Sequence, residues 1–441
     1  MSKIGFISLG CPKNQVDGER MLAKLGFEGF EIGDDLDGAD VVIVNTCAFI
    51  EEAKKEAIEN ILDVVSMKED GMVGKIVVTG CLAQRYKEEL MQEIPEVDAV
   101  CGIGANGDIV QIVNTLLQTE EKAEVFPNKT LLPETGDRML TTPSHWAYLK
   151  IAEGCSNGCS YCIIPKLRGP YRSRPQDDIL YEAKKLAAGG VKELILVAQD
   201  TARYGEDLTG KPQLAALIRE LAKLDGIRWI RLLYCYPERI TDELLELMAT
   251  EPKLLHYLDI PFQHADETVL KAMGRPGSGK EYLEFIKKIR RWVPDVTIRT
   301  SLIAGFPGET EEQFNALSEF VKEAKFDRMG CFAYSQEEGT LACNLPNQLD
   351  EQTKIDRADI INQQQAIITE MSSADKIGTY QDVIVDGYDS YTDSYIGRST
   401  ADAPEIDRDV KFTTRKTFDD GDIVSVYIFD EIDGDLLGEV L

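Results

Sequence analysis

Positive charge is what this sequence has least of. Its 441 residues carry 48 Lys and Arg against 77 Asp and Glu, a formal net charge of −29. A field of that sign repels polyphosphate and anionic membrane surfaces and favours basic partners, although acidity also serves plain solubility. Long apolar runs are missing too. None approaches the roughly 18–20 residues of a membrane span, and the opening MSKIGFISLG lacks the layout of a secretory signal. The cytoplasm is the expected compartment, with no membrane partner. Histidine is scarce: His145, His256 and His264 are the whole supply, and none stands at zinc-finger spacing from a cysteine pair.

Cysteine is not scarce. Ten thiols in a chain kept reduced are available as metal ligands or nucleophiles rather than disulfides. The chain is too long for one ordinary core, so two to four domains are expected.

The alternation of apolar runs predicts three units. Over 1–118, KIGFISLG, DVVIVNT and KIVVTG read as buried strands separated by helical patterns, an open parallel α/β domain. Residues 119–141, with mixed charge and no clear period, read as a linker. Over 142–372, six strand-like runs alternate with helices, which predicts a partial (β/α)6 barrel rather than a closed eightfold one. Over 373–441 the period drops to two between Asp/Gly turns, as in a small antiparallel β-barrel of about five strands.

Cys11, Cys47 and Cys81 each follow one of the first three strand runs. In open α/β sheets the carboxyl ends of the strands share one edge, so these thiols are expected to converge. A lone cysteine at a strand end is usually a small core residue; three at the same phase favour a ligand set. Cys101, inside its apolar run, is expected to be core, and Cys235, Cys331 and Cys343 lack ligand spacing.

The stretch EGCSNGCSYCIIPKLRG places Cys155, Cys159 and Cys162 inside eight positions after the first barrel strand. Three thiolates can hold three irons of a cubane cluster and leave the fourth open, and an open position marks a catalytic centre. This C-x3-C-x2-C loop resembles the signature of the radical S-adenosylmethionine (SAM) superfamily. Together with SLGCPKN, NTCAFIEEAK, TGCLAQRY, LVAQDTARYG, YLDIPFQH and GFPGETEEQF, it makes the whole chain resemble the radical SAM methylthiotransferases, most closely the branch that modifies ribosomal protein S12. Relatives acting on tRNA usually read Gln-Met-Asn after the first cysteine, where this chain has Pro12-Lys13-Asn14.

The resemblance implies two 4Fe–4S clusters, one on Cys11, Cys47 and Cys81 and the other on Cys155, Cys159 and Cys162. It implies that SAM binds the open iron of the second and, on receiving one electron, yields the radical that abstracts hydrogen. It further implies that two SAM molecules and an iron–sulfur-bound sulfur donor place a methylthio group on the β-carbon of an S12 aspartate. An external one-electron donor is required, and S12 is met either free or within the small ribosomal subunit. The C-terminal barrel would be TRAM-like. Two stretches depart from the family pattern: CSNGC lacks a basic residue before its second cysteine, and KAMGRPGSGKEYL is looser than Met-Arg-Arg.

Polar groups at the strand ends are the candidate SAM contacts: Tyr161 between the last two cysteines, Gln199 and Asp200 after the second strand, Arg299 on the fifth, and Gly305 in the turn that follows. Three of these have a plainer alternative. Tyr161 could be a core aromatic and Gly305 a tight turn. Arg299 is expensive to bury without an anion, which either the SAM carboxylate or Asp259 would supply. His264 reads as a base or a hydrogen-bonded core histidine, and the basic run PKLRGPYRSR as a charge-neutralising segment or a solvated face.

From Asp375 to Leu441 there are 17 Asp and Glu against 6 Lys and Arg. A β-barrel that acidic is unsuited to free RNA and suited to a basic ribosomal protein. Two rivals remain at this stage: a tRNA-adenosine methylthiotransferase with the same chemistry, and a non-catalytic iron–sulfur carrier.

Overall fold

The structure is a computed structural model that describes residues 2–33, 35–130 and 135–440. The first domain is a six-stranded sheet in the order β2-β1-β3-β4-β5-β6. Its strands are β1 (Lys3–Ser8), β2 (Glu31–Gly33), β3 (Ala39–Thr46), β4 (Val73–Gly80), β5 (Ala99–Cys101) and β6 (Ala123–Val125). Every pairing is parallel. Val41 to Val44 are all fully buried because both faces of the sheet are covered. Val41 and Ile43 pack against α1 (Pro12–Phe27) and, further on, α4 (Ile109–Gln118). Val42 and Val44 face α2 (Glu51–Glu69) and α3 (Cys81–Glu93). The period-two alternation thus serves two helical layers. The stretch 119–141 is more than a connection, since β6 lies within it and extends this sheet.

The second domain carries β7 (Trp146–Lys150), a two-residue pair β8 (Ala152–Glu153) and β9 (Arg172–Ser173), then β10 (Glu193–Val197), β11 (Trp229–Leu232), β12 (Leu254–Asp259), β13 (Thr297–Ala304) and β14 (Arg328–Ala333). Its main sheet runs β14-β13-β12-β11-β10-β7, all parallel and unclosed, which is the predicted partial barrel. Leu194, Leu196, Ile230 and Leu232 face the outer helices, while Tyr148, Ile195, Val197 and Tyr257 face inward. The helix Glu351–Ala374 covers the β14 edge. There the Asn362 side-chain amide stands in for a missing strand: it accepts from the Cys331 N–H and donates to the Cys331 carbonyl, both at 2.8 Å.

The third domain is a closed barrel in the order β15-β16-β17-β19-β18. The strands are β15 (Tyr380–Asp389), β16 (Ser394–Ser399), β17 (Val410–Thr414), β18 (Ile423–Ile432) and β19 (Asp435–Val440). It is the expected small five-stranded antiparallel barrel, with one pairing, β17 to β19, in parallel. An odd number of strands cannot alternate direction around a closed ring, so one parallel seam is unavoidable.

The barrel plugs the amino-terminal end of the second domain's sheet. Arg398 joins Glu193 and Asp386 at 2.7 Å each, and the Tyr257 hydroxyl donates to Asp407 at 2.6 Å. At the opposite end, α1 of the first domain sits over the carboxyl ends of the strands, with Val16 packed among the inward-facing residues. Among the described residues no helix is long and apolar enough to cross a membrane.

Candidate active site

The first cysteine set forms because three parallel strands stop at one edge. Cys11 caps α1, Cys47 follows β3, and Cys81 opens α3. Their loops are tied by short polar contacts. The Asn14 side chain donates to the Leu9 carbonyl at 2.9 Å, the Thr46 hydroxyl to the Thr79 carbonyl at 2.5 Å, and the Leu82 N–H to the Thr46 hydroxyl at 3.2 Å. A side chain at Gly10 would begin 2.5 Å from the Cys47 Cβ, so β1 and β3 end in direct contact.

The thiols are close enough to act on one another. Burial pushes Cys47 up to about 12, helped by the charges of Cys11 and Cys81. Cys81 is raised by burial against the pull of Arg168. Cys11 moves the other way: burial is outweighed by Lys13, by Arg168 and by the N–H groups of Asn14 and Lys13 at the start of α1.

The second set sits on a local loop. Gly154 adopts φ +76°, and a side chain there would meet the Pro170 carbonyl at 2.2 Å, so only glycine lets the loop leave β8. The Cys155 N–H donates to the Gly169 carbonyl at 3.0 Å. Ser160 locks the loop from below, donating through its N–H to the Met273 carbonyl at 2.8 Å and through its hydroxyl to the Ala272 carbonyl at 2.7 Å. Burial first, opposed by the Asn157 N–H and then reinforced by Cys159, pushes Cys155 up to about 11. Burial and the other two thiols raise Cys162 as well.

No three His, Cys, Asp or Glu side chains among the described residues close around the point a single metal ion would occupy. Each trio is instead a set of thiols, of which burial raises Cys47, Cys81, Cys155 and Cys162, and which an iron cluster's positive charge would hold deprotonated. The donor chemistry fits a cluster, and all six cysteines are free of disulfides.

Arg168, at the end of α5 (Ile164–Arg168), links the first set to the strand end from which the second loop leaves. Its Nη2 lies 3.5 Å from the Cys81 Sγ and 3.1 Å from the Asn14 Oδ1, and its Nη1 reaches Asp17 at 3.0 Å and Glu153 at 2.9 Å. Lys150 pairs with the same two acids. One residue of the basic run therefore neutralises buried acids between the two loops, a role that PKLRGPYRSR did not specify.

The remaining candidates divide. Tyr161 is half-buried against the cluster that includes Met273, Phe306 and Tyr334, beside Cys159 and Arg275. Gln199 donates to Glu153 at 3.0 Å, and its Oε1 is buried without a donor among the described residues. Asp200 accepts from Asn157 at 3.1 Å and pairs with Arg239 at 3.2 Å, leaving Oδ1 without a donor among the described residues. Arg299 meets Asp259 at 3.0 Å, the protein anion among its two expected partners. The Gly305 N–H goes to Glu309 at 3.1 Å, and the space its side chain would enter is filled by Lys354. His264 is the hydrogen-bonded core histidine of the two readings, held by Glu309 at 3.1 Å and the Asp266 N–H at 3.0 Å.

Sequence reading missed Arg275 and Tyr236. Tyr236 Oη lies 3.4 Å from the Cys159 Sγ, and the Arg275 guanidinium lies 4.0 Å from the Tyr236 ring centroid. Arg275 is buried, with Nε and Nη1 lacking acceptors among the described residues. Its place in KAMGRPG signals nothing locally, because the groups it faces are far off in sequence.

The three domains match three family models: Uncharacterized protein family UPF0004 over residues 3–102, the Radical SAM superfamily over 149–321, and the TRAM domain over 377–441. Among solved structures, the radical SAM methyltransferase TsrM from Kitasatospora setae aligns with a TM-score of 0.52 at 15% identity over 75% of each chain. The cobalamin-dependent radical SAM enzyme OxsB aligns at 0.51 and 11% identity, over 83% of this chain and 56% of that one. At such identities the likeness is one of fold, and it sets the architecture in the radical SAM class.

Whole-chain relatives narrow the class. The ribosomal protein uS12 methylthiotransferase RimO of Geobacter sulfurreducens is 47% identical over 100% of this chain and 98% of that protein. The same enzyme from Clostridioides difficile is 47% identical over 100% and 99%. The chain belongs to the ribosomal protein uS12 methylthiotransferase family.

Proposed function

We propose that this chain transfers a methylthio group to the β-carbon of an aspartate in ribosomal protein uS12, with Cys11, Cys47 and Cys81 holding one 4Fe–4S cluster and Cys155, Cys159 and Cys162 another. The observation that supports this reading is the contact of Arg168 with Cys81 of the first set at 3.5 Å and with Glu153, two residues before Cys155 of the second, at 2.9 Å. A radical enzyme with a single cluster has no use for the first set, and an iron–sulfur carrier has none for a second set inside a SAM-type barrel.

Bound at the second set, the cluster and SAM would supply the hydrogen-abstracting radical. The chain's own residues fit SAM there: Gln199 Oε1 and Asp200 Oδ1 are buried acceptors in want of a donor such as its ammonium, and Arg275 has free donors for its carboxylate. Tyr161 offers an aromatic face next to the same cysteines. Arg299, committed to Asp259, is left out of that set.

The acidic third domain supports the substrate. Its excess of Asp and Glu steers a lysine- and arginine-rich protein and disfavours free tRNA. Ribosomal protein uS12, alone or within the small subunit, places the reaction in the cytoplasm with an external one-electron donor. Mass spectrometry of uS12 after anaerobic reaction tests the proposal. A methylthio gain on aspartate with the native chain, absent with Cys155→Ala, is expected; no gain from protein loaded with both clusters overturns it.

A further inference from the structure

The helix Glu351–Ala374 runs down the open edge of the second domain's sheet. Its first turn lies at the barrel mouth, where Lys354 fills the space beside Gly305 in the turn after β13. Asn362 closes the β14 edge midway. Further on, the Gln365 side chain donates to the Phe326 carbonyl just ahead of β14 at 2.7 Å. The Ser373 hydroxyl then donates to the Gly434 carbonyl, between β18 and β19 of the third domain, at 3.3 Å. One helix thus joins the mouth to the acidic barrel at the opposite end.

Ala358, Gln365 and Thr369 form the buried inner face of this helix. The outer face is unlike a solvated one. Ile360, Ile367 and Met371 recur at intervals of seven and four, which sets them in one line on the side turned from the sheet. They are 49%, 61% and 64% exposed, along about 16 Å of helix at 1.5 Å per residue. Ile377 and Tyr380, where the chain enters β15, are exposed as well. Single exposed apolar side chains are ordinary, but a row of them is a surface to be covered.

Charge decides what covers it. The two cations of the helix turn inward: Lys354 is buried, and Arg357 reaches Glu309 at 2.7 Å and Glu311 at 3.1 Å. Asp356, Asp359 and Glu370 are exposed and form no ion pair among the described residues. From Asp375 onward the barrel adds its 17 acids against 6 cations. A second copy of this chain, itself at −29, would bring like charge to this surface. An apolar centre with an acidic rim fits a basic protein.

We propose that the outer row of the helix Glu351–Ala374 is the docking surface for uS12, an assignment that rests on the substrate reading above. The acidic barrel lies at the far end of the second domain from the cysteine sets, so attraction to the barrel alone does not bring an aspartate to the mouth. A basic protein seated along the helix spans that distance. Its cations meet the barrel and the three free acids, its apolar contacts cover Ile367 and Met371, and a projecting segment reaches the mouth past Lys354.

Calorimetric titration of the full-length chain with purified uS12, at two salt concentrations, tests this. A chain carrying Ile367→Gln and Met371→Gln keeps its charge and its helix-forming side chains. Its Kd for uS12 is expected to rise about tenfold or more, with the salt dependence unchanged. A chain carrying Asp356→Asn, Asp359→Asn and Glu370→Gln is expected to bind more weakly at low salt and to respond less to added salt. Melting temperature and iron content matching wild type show that both variants are folded. An unchanged Kd in the first variant, or an unchanged salt dependence in the second, overturns the assignment. So does a wild-type dimer in sedimentation that Ile367→Gln and Met371→Gln dissociate, because the row is then covered by a second copy. If wild type modifies uS12 while the first variant binds it with unchanged Kd, only the surface is misassigned. If wild type adds no methylthio group, the functional reading itself fails and takes this one with it.

Discussion

Arg168 and Cys81 meet across a domain boundary, with the guanidinium Nη2 3.5 Å from the thiol Sγ. The arginine comes from the loop that carries the second cysteine set, and the thiol from the first. The first domain alone does not complete the surroundings of its own cysteines.

Replacing Arg168 tests that contact. Arg168→Ala leaves Asp17 and Glu153 sharing Lys150 alone, a loss of about 3–5 kcal/mol on the scale of a broken buried pair. Lys at this position keeps the charge but cannot reach Asp17, Glu153, Asn14 and Cys81 together. Thermal denaturation is expected to rank wild type above Lys and Lys above Ala, with reconstituted iron at the first set lowered in the same order.

Gly154→Ala acts on the second set alone. The substitution puts a side chain at φ +76° and against the Pro170 carbonyl, so the C-x3-C-x2-C loop must shift. Iron analysis after anaerobic reconstitution is expected to fall by one cluster's share. In a Gly154→Ala chain that also carries Cys11→Ala, loading is expected to approach zero.

Acid should loosen the seam between the first two domains. Glu182 accepts from Arg20 at 2.9 Å, Arg138 at 2.8 Å and Arg174 at 2.7 Å. Burial pushes its carboxyl up, but the three arginines outweigh it and hold it at about 2, against an ordinary 4.5. A depressed carboxyl contributes stability in full above the ordinary value and loses it as pH falls through the folded one. Proteolysis in 119–141 is therefore expected to accelerate between about pH 4.5 and 2. In Glu182→Gln the cleavage should already be fast at neutral pH and respond less to acid.

Asn362→Leu should open the β14 edge. The Cys331 N–H and carbonyl would lose their partner, a change of about 1–3 kcal/mol in stability. Hydrogen exchange at Cys331 is the direct readout, with faster exchange expected there than at Leu258 in the middle of the sheet.

Much of this site could be read from the chain because its logic is periodic. Strand runs ending in Cys11, Cys47 and Cys81 imply a shared edge as soon as the sheet is taken to be parallel, and the second loop is specified by its own spacing. What stayed hidden depends on contacts between distant residues. Arg168 and Arg275 look like ordinary basic residues until the fold brings Cys81 or Cys159 beside them. The choice between a ligand and Asp259 for Arg299 turned on which side chain its neighbouring strand presents. β6 escaped notice because three residues, Ala123–Val125, are too few to show a period.

The two cysteine sets also differ in what must come apart before their thiols disperse. The second is gathered by one short loop pinned through Ser160, so a local opening that frees the Ala272 and Met273 carbonyls is enough to scatter it. The first takes its thiols from the ends of three strands of one sheet, and they separate only when that sheet melts. One set therefore has the stability of a loop and the other the stability of a domain.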